Sequence, residues 1–465
     1  MLKYLLLSVT LVSLLGIVGI ITGCAVKPEP TTQELQTEVL PQTTTIPEQF
    51  SAAQDNGKVD SGWLDSFSDP KLNALAAEAL QNNLNLQVAQ AQVERASALS
   101  VLAGAALKPT VGYGVEASQS NIGNEQLEAL AGDSMRYNAG LAISWEADVW
   151  GRVRTGVAAA EAALQATQAD YEFARQSLVA SVAKAWFICI EAKLQFSFAE
   201  EVVTLMEKTL NVVTTKQEVG QIPMQDVHLA KANLTSAKNS LEQTVLAMER
   251  SQRGLETLLG RYPAADIEAA NQLPGFPGDL PAGLPSDLIE RRPDLQAAER
   301  RVAAAFNLTQ QAELAKLPRF SLTASGAFNN LTDTIATLGA GIVGPLYTGG
   351  ALEAQVDIAT ADQKAAMAQY GQKALTAFQE VENSLSSEAT LFRQNSYLDS
   401  IESDYRKSME LVMDEYDVGK VDLLSVLVVQ GQWIGSKISL INIQNQRLLQ
   451  RVDLHLALGG SFVSE

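Results

Sequence analysis

The sequence predicts a mainly α-helical protein that is internally duplicated and carries a small transmembrane β part. Long stretches lack glycine and proline, and a few short segments alternate polar and apolar residues. The hexapeptides EVGQIP at Glu218–Pro223 and DVGKVD at Asp417–Asp422 are nearly the same. Their glycines are 199 positions apart, and so are Lys238 and Lys437. These observations indicate two copies of one long helical unit.

The composition and the motifs exclude several classes of protein. A formal net charge of -19 argues against nucleic-acid binding, because phosphates require lysine and arginine as counterions. No CxxC, HExxH, Walker or GxSxG pattern occurs, so we expect no catalytic residue, cofactor or metal site. The two histidines, His228 and His455, are predicted to be surface or seam residues, and Cys189 a small packed residue. The sequence therefore does not predict an enzyme.

The N-terminus combines one early positive charge with a long apolar run. Lys3 precedes the run Leu5–Ile21, which is almost long enough to be a membrane anchor. The segment Ile21-Thr22-Gly23-Cys24 instead resembles a bacterial lipobox, which favours a signal peptide over residues 1–23 and diacylation of Cys24. Because Ala25 is not aspartate, resemblance to lipoprotein sorting implies transport to the outer membrane.

The remainder of the chain divides into a linker and two repeats. The linker is rich in Thr, Gln, Pro and Glu, and its part Pro28–Phe50 is predicted to be disordered. In the repeats, Leu86 matches Leu295 at a spacing of 209, and the later spacing of 199 places a longer loop in the first copy. The predicted divisions are a lipid-anchored linker at 24–65, a first repeat at 66–262, a connector at 263–284 and a second repeat at 285–465.

Each repeat contains a predicted hairpin of strands. The alternating segments are Val111–Ala117, Tyr137–Val149, Phe320–Phe328 and the weaker Leu338–Val343. A half-buried soluble sheet shows the same alternation, but in an exported lipoprotein it also suits a transmembrane barrel. Because known barrels have about eight strands or more, several chains would have to share one barrel. Glu146 and Asp148 are candidates for lumen-facing residues that favour cations, and ordinary solvation of a polar face is the alternative.

Two very long helices follow the hairpins. The segment Val157–Val219 has neither glycine nor proline and predicts a helix of about 90 Å. Ala351–Val418 is equally long and is interrupted only by Gly371. Heptad spacing with many small residues predicts coiled-coil packing. We expect Gly220 and Gly419 to end these helices, so that the hexapeptides form turns at the far end of the coiled coil.

Five segments of the chain match motifs of a known family. They are RRPDLQAAERRVAAA (Arg291–Ala305), SWEADVWGR (Ser144–Arg152), PLYTGG (Pro345–Gly350), YDVGKVDLLSVLVVQ (Tyr416–Gln430) and LALGG (Leu456–Gly460). Through these motifs the chain resembles the TolC-like outer-membrane factors, and the resemblance extends from roughly Phe50 to the C-terminus. It is to the lipoprotein branch, which serves tripartite efflux pumps of the resistance-nodulation-division (RND) type.

The resemblance implies a homotrimer with a shared twelve-stranded β-barrel in the outer membrane, four strands per chain, and a long α-helical coiled-coil barrel that crosses the periplasm. It implies a passive exit duct for small molecules, in contact with outer-membrane lipid. A periplasmic adaptor (membrane fusion protein) and an inner-membrane RND transporter would be its partners. The expected adaptor contacts are the turn residues Val219, Gly220, Gln221, Val418, Gly419 and Lys420.

The helix after the second turn is expected to line the constriction of the tunnel. Leu424 and Val428 lie one helical turn apart and would form stacked apolar rings in a trimer. Packing in a helix–helix seam is the alternative for both. Family members often have aspartate at the position of Val428 and a basic residue at that of Gly431, so a charged ring is not expected here.

Other functions fit parts of the sequence. A duct for type I protein secretion has the same architecture. A structural periplasmic coiled-coil lipoprotein would not need lipid-facing strands. A periplasmic adaptor would carry lipoyl-like β-domains rather than paired hairpins. Neighbouring genes for an RND transporter or for an ATP-binding transporter would separate the two duct functions.

Overall fold

The computed structural model describes residues 26–31, 34–35, 39, 46–51, 61–120, 134–278, 282–329 and 333–462. The predicted signal peptide and Cys24 lie outside these residues. The chain forms two compact units, and each draws on both sequence repeats. The first unit comprises Met1–Thr44, Ala91–Ala169 and Leu295–Lys373, and the second comprises Thr45–Gln90, Asp170–Asp294 and Ala374–Glu465.

The described residues form long helices and two β-hairpins, as the sequence predicts. A short 3-10 helix at Trp63–Phe67 precedes α1 (Pro70–Asn82), α2 (Leu84–Ala105), β1 (Thr110–Ser120), β2 (Ser134–Ala147), α3 (Arg152–Glu218), α4 (Met224–Leu258), α5 (Pro285–Arg291), α6 (Pro293–Leu314), β3 (Arg319–Asn329), β4 (Asp333–Val343), α7 (Ala351–Asp417) and α8 (Leu423–Ala457).

The elements of the two repeats correspond in length and spacing. Helices α3 and α7 have 67 residues each, and α4 and α8 have 35 residues each. Helices α2 and α6 have 22 residues each. The connection from Ser120 to Ser134 is ten residues longer than that from Asn329 to Asp333. The internal duplication and the position of the longer loop in the first copy are therefore confirmed.

Glycines in the left-handed conformation follow both long helices. Gly220 has a φ of 76° and Gly419 a φ of 78°. The Gln221 N–H donates to Lys216 O at 2.9 Å, and the Lys420 N–H donates to Glu415 O at the same distance. This is the Schellman arrangement, which satisfies the last carbonyl groups of a helix. The predicted role of both glycines as helix terminators is confirmed.

Helix α3 begins earlier than the sequence predicts. It starts at Arg152 rather than Val157 and passes through Gly156. A Cβ atom on Gly156 would meet only the flexible side-chain amide of Gln311 on α6. A glycine usually weakens a helix, but α3 continues through this one. Gly156 therefore does not mark a helix boundary.

The four strands form one antiparallel sheet in the order β1-β2-β3-β4. The pairing of β2 with β3 joins the two repeats, for example at Ile143 opposite Ala324. Strand β4 begins at Asp333, earlier than the predicted Leu338. It pairs with β3 over its whole length, because backbone hydrogen bonding does not require alternation of the side chains. Within the described residues, β1 and β4 are the free edges of this sheet.

The second unit has a core of aromatic and aliphatic side chains. Trp63, Phe67, Trp186 and Phe187 are buried together in it. His455 stacks on Trp63 at 5.3 Å, and burial lowers the pKa of His455 to about 3. The prediction of a surface or seam position is wrong for His455, because its imidazole packs as an aromatic core residue. The same core includes Cys189, as predicted, and burial raises the pKa of Cys189 to about 11.

Parts of the predicted disordered linker are packed. In the first unit Leu35 is buried, and in the second unit Phe50 is buried. The Ser51 N–H donates to Glu382 at 2.8 Å in the second unit. The prediction of disorder is wrong for Leu35 and Phe50, and Ser51 directly follows the predicted disordered segment. A polar segment too poor in apolar residues to form its own core can still place single apolar side chains into the surface of another element.

Candidate functional site: helix tips and strand–helix junctions

The two turns between the long helices and their return helices lie in the second unit and are exposed. Val219 in the first turn and Val418 in the second are both about two-thirds exposed. Gly220, Gln221, Gly419 and Lys420 are exposed as well. The second turn leads into α8 through Asp422, whose carboxylate accepts a hydrogen bond from the Ser425 N–H at 2.9 Å. The Ser425 hydroxyl also donates to this carboxylate at 2.7 Å, and this bond, followed by the backbone cap, holds the pKa of Asp422 below its usual value.

A lysine connects the two turns. Lys216, in the last turn of α3, donates to Tyr416 O at 2.9 Å and to Asp417 O at 3.0 Å. Its ammonium also lies 5.0 Å from the centre of the Tyr416 ring. These carbonyls end α7, where the helix dipole is negative and favours a cation. Lys216 therefore holds the end of one long helix against the end of the other.

Below the turns lies a small apolar cluster. It contains Val213, Val227, Ala230, Tyr416, Leu423 and Val426. The Tyr416 hydroxyl is buried and has no hydrogen-bond partner within the described residues. Burial, and then the charges of Asp226 and Asp417, raise the pKa of this hydroxyl above its usual value. The exposed turns are therefore adjacent to a packed apolar cluster.

We expect Lys216→Met to loosen the second turn without unfolding the protein. The substitution removes two hydrogen bonds to helix-end carbonyls, a loss of about 1 kcal/mol. Hydrogen exchange at residues 416–420 should become faster, as measured by mass spectrometry. Lys208→Met, at an exposed position of the same helix, is the matched control and should leave this exchange unchanged. An equal effect of both substitutions would contradict the tethering role of Lys216.

The predicted constriction residues lie on an exposed face of α8. Leu424 is 62% exposed and Val428 is 54% exposed. The neighbouring residues of α8 that pack inwards are Leu423, Val426 and Gln430, and Gln430 donates to the Thr209 hydroxyl at 3.1 Å. Leu424 and Val428 therefore do not pack in a seam within the described chain. Their arrangement as apolar rings in a trimer stays a prediction.

The acidic residues at the end of β2 are engaged in the turn from strand to helix, within the first unit. Asp148 lies just past the strand, and its carboxylate accepts hydrogen bonds from the backbone N–H groups of Val153 at 2.9 Å and Arg154 at 2.8 Å. It thereby satisfies free donors at the start of α3. Glu146, in β2, forms an ion pair with Arg152 at 2.8 Å. Both contacts give these carboxylates a structural role, and a lumen-facing position stays a prediction.

Two tryptophans fix the same junction. The indole N–H of Trp145 donates to Leu107 O at 3.0 Å, and that of Trp150 donates to Pro318 O at 2.8 Å. Both acceptors precede a strand, β1 and β3 respectively. The segment SWEADVWGR thus joins the start of α3 to the entrances of two other strands.

Sequence reasoning missed the residues that act through distant partners. Lys216 was not singled out, although a basic residue in the last turn of a helix is a known C-terminal signal. The partners of this lysine lie 200 positions or more along the chain. Asp148 was assigned to a strand because it continues the alternation of β2. Its value as a helix cap depends on where the strand stops, which the alternation does not show.

The sequence profile of the family described as "Outer membrane efflux protein" matches residues 75–261 and 284–460. Together these segments make up most of the chain. A "Pyoverdine export outer membrane protein OpmQ" of Pseudomonas putida is 29% identical over 431 residues, which cover 89% of this chain and 91% of the relative. A "Toluene efflux pump outer membrane protein TtgC" of Pseudomonas putida is 29% identical over 474 residues, which cover 98% of this chain and 96% of the relative.

A solved structure with the same fold is the open state of the MtrE outer membrane channel of Neisseria gonorrhoeae. It superposes with a TM-score of 0.82 at 27% sequence identity. The match covers 91% of this chain and 98% of that channel. The similarity therefore extends over both hairpins and all the long helices rather than over a single segment.

Proposed function

The chain belongs to the outer membrane efflux protein family, and from this premise we propose that three copies form the exit duct of a tripartite efflux pump. The protein is an outer-membrane efflux channel, as the members of this family are. The proposal adds the trimer, small-molecule cargo, and a periplasmic adaptor and an inner-membrane RND transporter as partners. Channels of this kind conduct passively and are not enzymes.

The open four-stranded sheet carries the proposal of an oligomer. Strands β1 and β4 each have 11 residues, which is enough to cross a bilayer as tilted strands. Each is paired on one side only. Unpaired backbone groups are not tolerated in lipid, so β4 of one copy must pair with β1 of another. Three copies give a closed barrel of twelve strands, within the range of known membrane barrels.

The two faces of the sheet differ as a membrane barrel requires. Residues directly opposite each other share a face, as do Val111 with Ile143 and Tyr113 with Leu141. This face is apolar and exposed, and it suits lipid. The other face carries small and polar side chains such as Ser144, which lies opposite Thr323, and it suits a water-filled lumen.

The helix tips supply a surface for the adaptor. The exposed Val219 and Val418 offer apolar contacts on two turns that Lys216 holds together. Rigid turns bind a partner at a lower entropic cost than mobile ones. The named relatives export pyoverdine and toluene. Because such different molecules leave through similar channels, we assign the choice of cargo to the inner-membrane transporter.

Native mass spectrometry in detergent tests the trimer. We expect the mass of three mature chains, with circular dichroism that retains its β contribution. Dilution into harsher detergent should release monomers only as that β contribution is lost, because the edge strands depend on their neighbours. A stable monomer with an intact β contribution would contradict the shared barrel.

Labelling with a clickable fatty acid tests the anchor. We expect the wild-type protein to incorporate the label and Cys24→Ser to incorporate none, because the acyl chains need the Cys24 sulfur and amine. Cys189→Ser is the matched control, since this buried thiol is not acylated, and it should retain full labelling. Unchanged labelling of Cys24→Ser would show that the N-terminus is not lipidated at this position.

A further inference from the structure

Residues 26–31, which we call the N-terminal strap, lie along helix α6 within the first unit. The Lys27 N–H donates to the side-chain oxygen of Gln310 at 2.6 Å. The Gln310 side-chain amide in turn donates to Lys27 O at 3.0 Å. This reciprocal pair uses both backbone groups of one strap residue, as a neighbouring β-strand would. Gln310 is only 3% exposed, so its amide is committed to the strap.

A second polar side chain of α6 binds the strap one helical turn away. Asn307 is 3% exposed, and its amide donates to the Glu29 carboxylate at 2.6 Å. Glu313 lies 3.8 Å from the Lys27 ammonium, but both side chains are largely exposed, and such a pair contributes little. Asn307 and Gln310 therefore provide most of the polar contact with the strap.

The first repeat provides an internal control for this contact. Helix α2 corresponds to α6 with a spacing of 209, which places Ala98 at the position of Asn307 and Val101 at that of Gln310. Val101 is 72% exposed within the chain. The fold of this helix therefore does not need buried amides at these positions. They occur only in the copy that the strap covers.

Two glycines show the same asymmetry. Gly151 and Gly350 occupy equivalent places before α3 and α7, with φ of 87° and 85°. A Cβ on Gly151 would lie 2.5 Å from Val26 of the strap, whereas no atom of the described residues lies within 4 Å of a Cβ on Gly350. Farther along, a Cβ on Gly371 would lie 2.5 Å from the Val39 side chain, and the counterpart of Gly371 in the first repeat is Glu172.

We propose that Asn307, Gln310 and Gly151 form a seat for the N-terminal strap, and that the seat fixes the acylated N-terminus beside the junction of β2 and α3. The position of the acyl group rests on the lipidation proposed above. Cys24 precedes Val26 by two residues, so the chain keeps the two within about 7 Å of each other. Val26 contacts Gly151, next to Trp150. The acyl chains then enter the membrane at the strand ends rather than at the end of a free tether.

Cross-linking measures whether the strap is seated. In a Cys189→Ser background, Lys27→Cys and Glu313→Cys are joined by a short bismaleimide, and the linked peptide is quantified by mass spectrometry. We expect a high yield in this parent. The double substitution Asn307→Ala, Gln310→Val introduces the residues of the first repeat and removes three hydrogen bonds to the strap. Each hydrogen bond changes an equilibrium constant by about fivefold, so the loss of all three should lower even a high yield at least about fivefold. Leu308→Ala, at an exposed position of the same helix, is the control and should not change it.

The glycine pair provides a second, independent measurement. Gly151→Ala and Gly350→Ala both introduce a side chain at a positive φ and carry the same backbone strain. Only Gly151→Ala should lower the cross-link yield, because only this site faces Val26. Adding Val26→Gly should restore the yield. Equal effects at both glycines, or no effect of the Asn307→Ala, Gln310→Val pair in an intact trimer, would overturn the seat.

A photoreactive, clickable fatty acid tests the placement of the anchor. After illumination we expect adducts in the tryptic peptide 137–152, which contains Trp150, and at least about fivefold fewer in the Asn307→Ala, Gln310→Val variant than in Leu308→Ala. Adducts spread equally in both variants would overturn the placement. If Cys24 carries no label at all, the proposed lipidation fails, whereas the bismaleimide cross-link still reports on the seat.

Discussion

Val428→Asp is expected to leave the proposed trimer intact and to change its single-channel conductance. Val428 lies on the exposed face of α8 together with Leu424. If this face lines the tunnel, three chains present an apolar ring, which resists ions because water leaves narrow apolar constrictions. Three carboxylates there would keep the constriction wet and attract cations. Recording in planar bilayers should show a higher conductance and greater cation selectivity.

The pH dependence of this variant has a defined sign. Carboxylates that face one another across a narrow ring raise one another's pKa. The gain in conductance should therefore be present at neutral pH and disappear as the pH falls through this raised pKa. Wild-type conductance should not show this transition, because the side chains of Val428 and Leu424 are not ionisable.

Val426→Asp is the matched control for Val428→Asp. Val426 lies on the same helix but is fully buried in the cluster below the turns. A carboxylate at this position has no partner and should cost several kcal/mol of stability. Thermal dissociation of the trimer should therefore occur at a lower temperature for Val426→Asp than for Val428→Asp. Equal destabilisation by the two substitutions, without a change in conductance, would place Val428 in a seam between chains.

Arg292→Met is expected to produce a large loss of stability. Arg292 is buried in the second unit, where it binds Asp294 at 3.0 Å and Glu380 at 2.6 Å and donates to Ala457 O. It thus connects the start of α6 to α7 and to the end of α8. Removing the guanidinium leaves the buried Asp294 without this cation. Breaking a buried pair in this way costs about 3–5 kcal/mol.

Thermal unfolding in detergent, followed by circular dichroism, measures this effect. Arg300→Met is the control, because Arg300 pairs with Glu299 at a partly exposed position and should change stability by less than about 1 kcal/mol. Adding Asp294→Asn to Arg292→Met should recover part of the loss, since it removes the buried carboxylate that has lost this guanidinium. A midpoint for Arg292→Met equal to that of Arg300→Met would show that the buried network is not needed for stability.

The sequence by itself determined the features that depend on neighbours along the chain. Periodicity gave the long helices and the hairpins. The two hexapeptides marked the helix ends, because a Schellman turn needs a glycine at a fixed place after the last helical residue. The change in spacing from 209 to 199 placed a longer loop in the first copy, between Pro109 and Gly151. The helices, hairpins and helix ends repeat in both copies, since each copy has the same local pattern.

Only the tertiary structure decided the features that arise between distant segments. Lys216 bonds to carbonyls of another helix, Asp148 caps a helix rather than extending a strand, and Gly156 lies inside α3 rather than before it. The N-terminal strap is the clearest case. In the sequence, Asn307 and Gln310 are ordinary polar residues of a helix. Only the structure shows that Glu29 and Lys27 of the strap bind them. The strap occurs once in the chain, whereas the helix that it covers has a counterpart in the other repeat. The contacts of the strap therefore make the two copies different. No local sequence pattern predicts this difference.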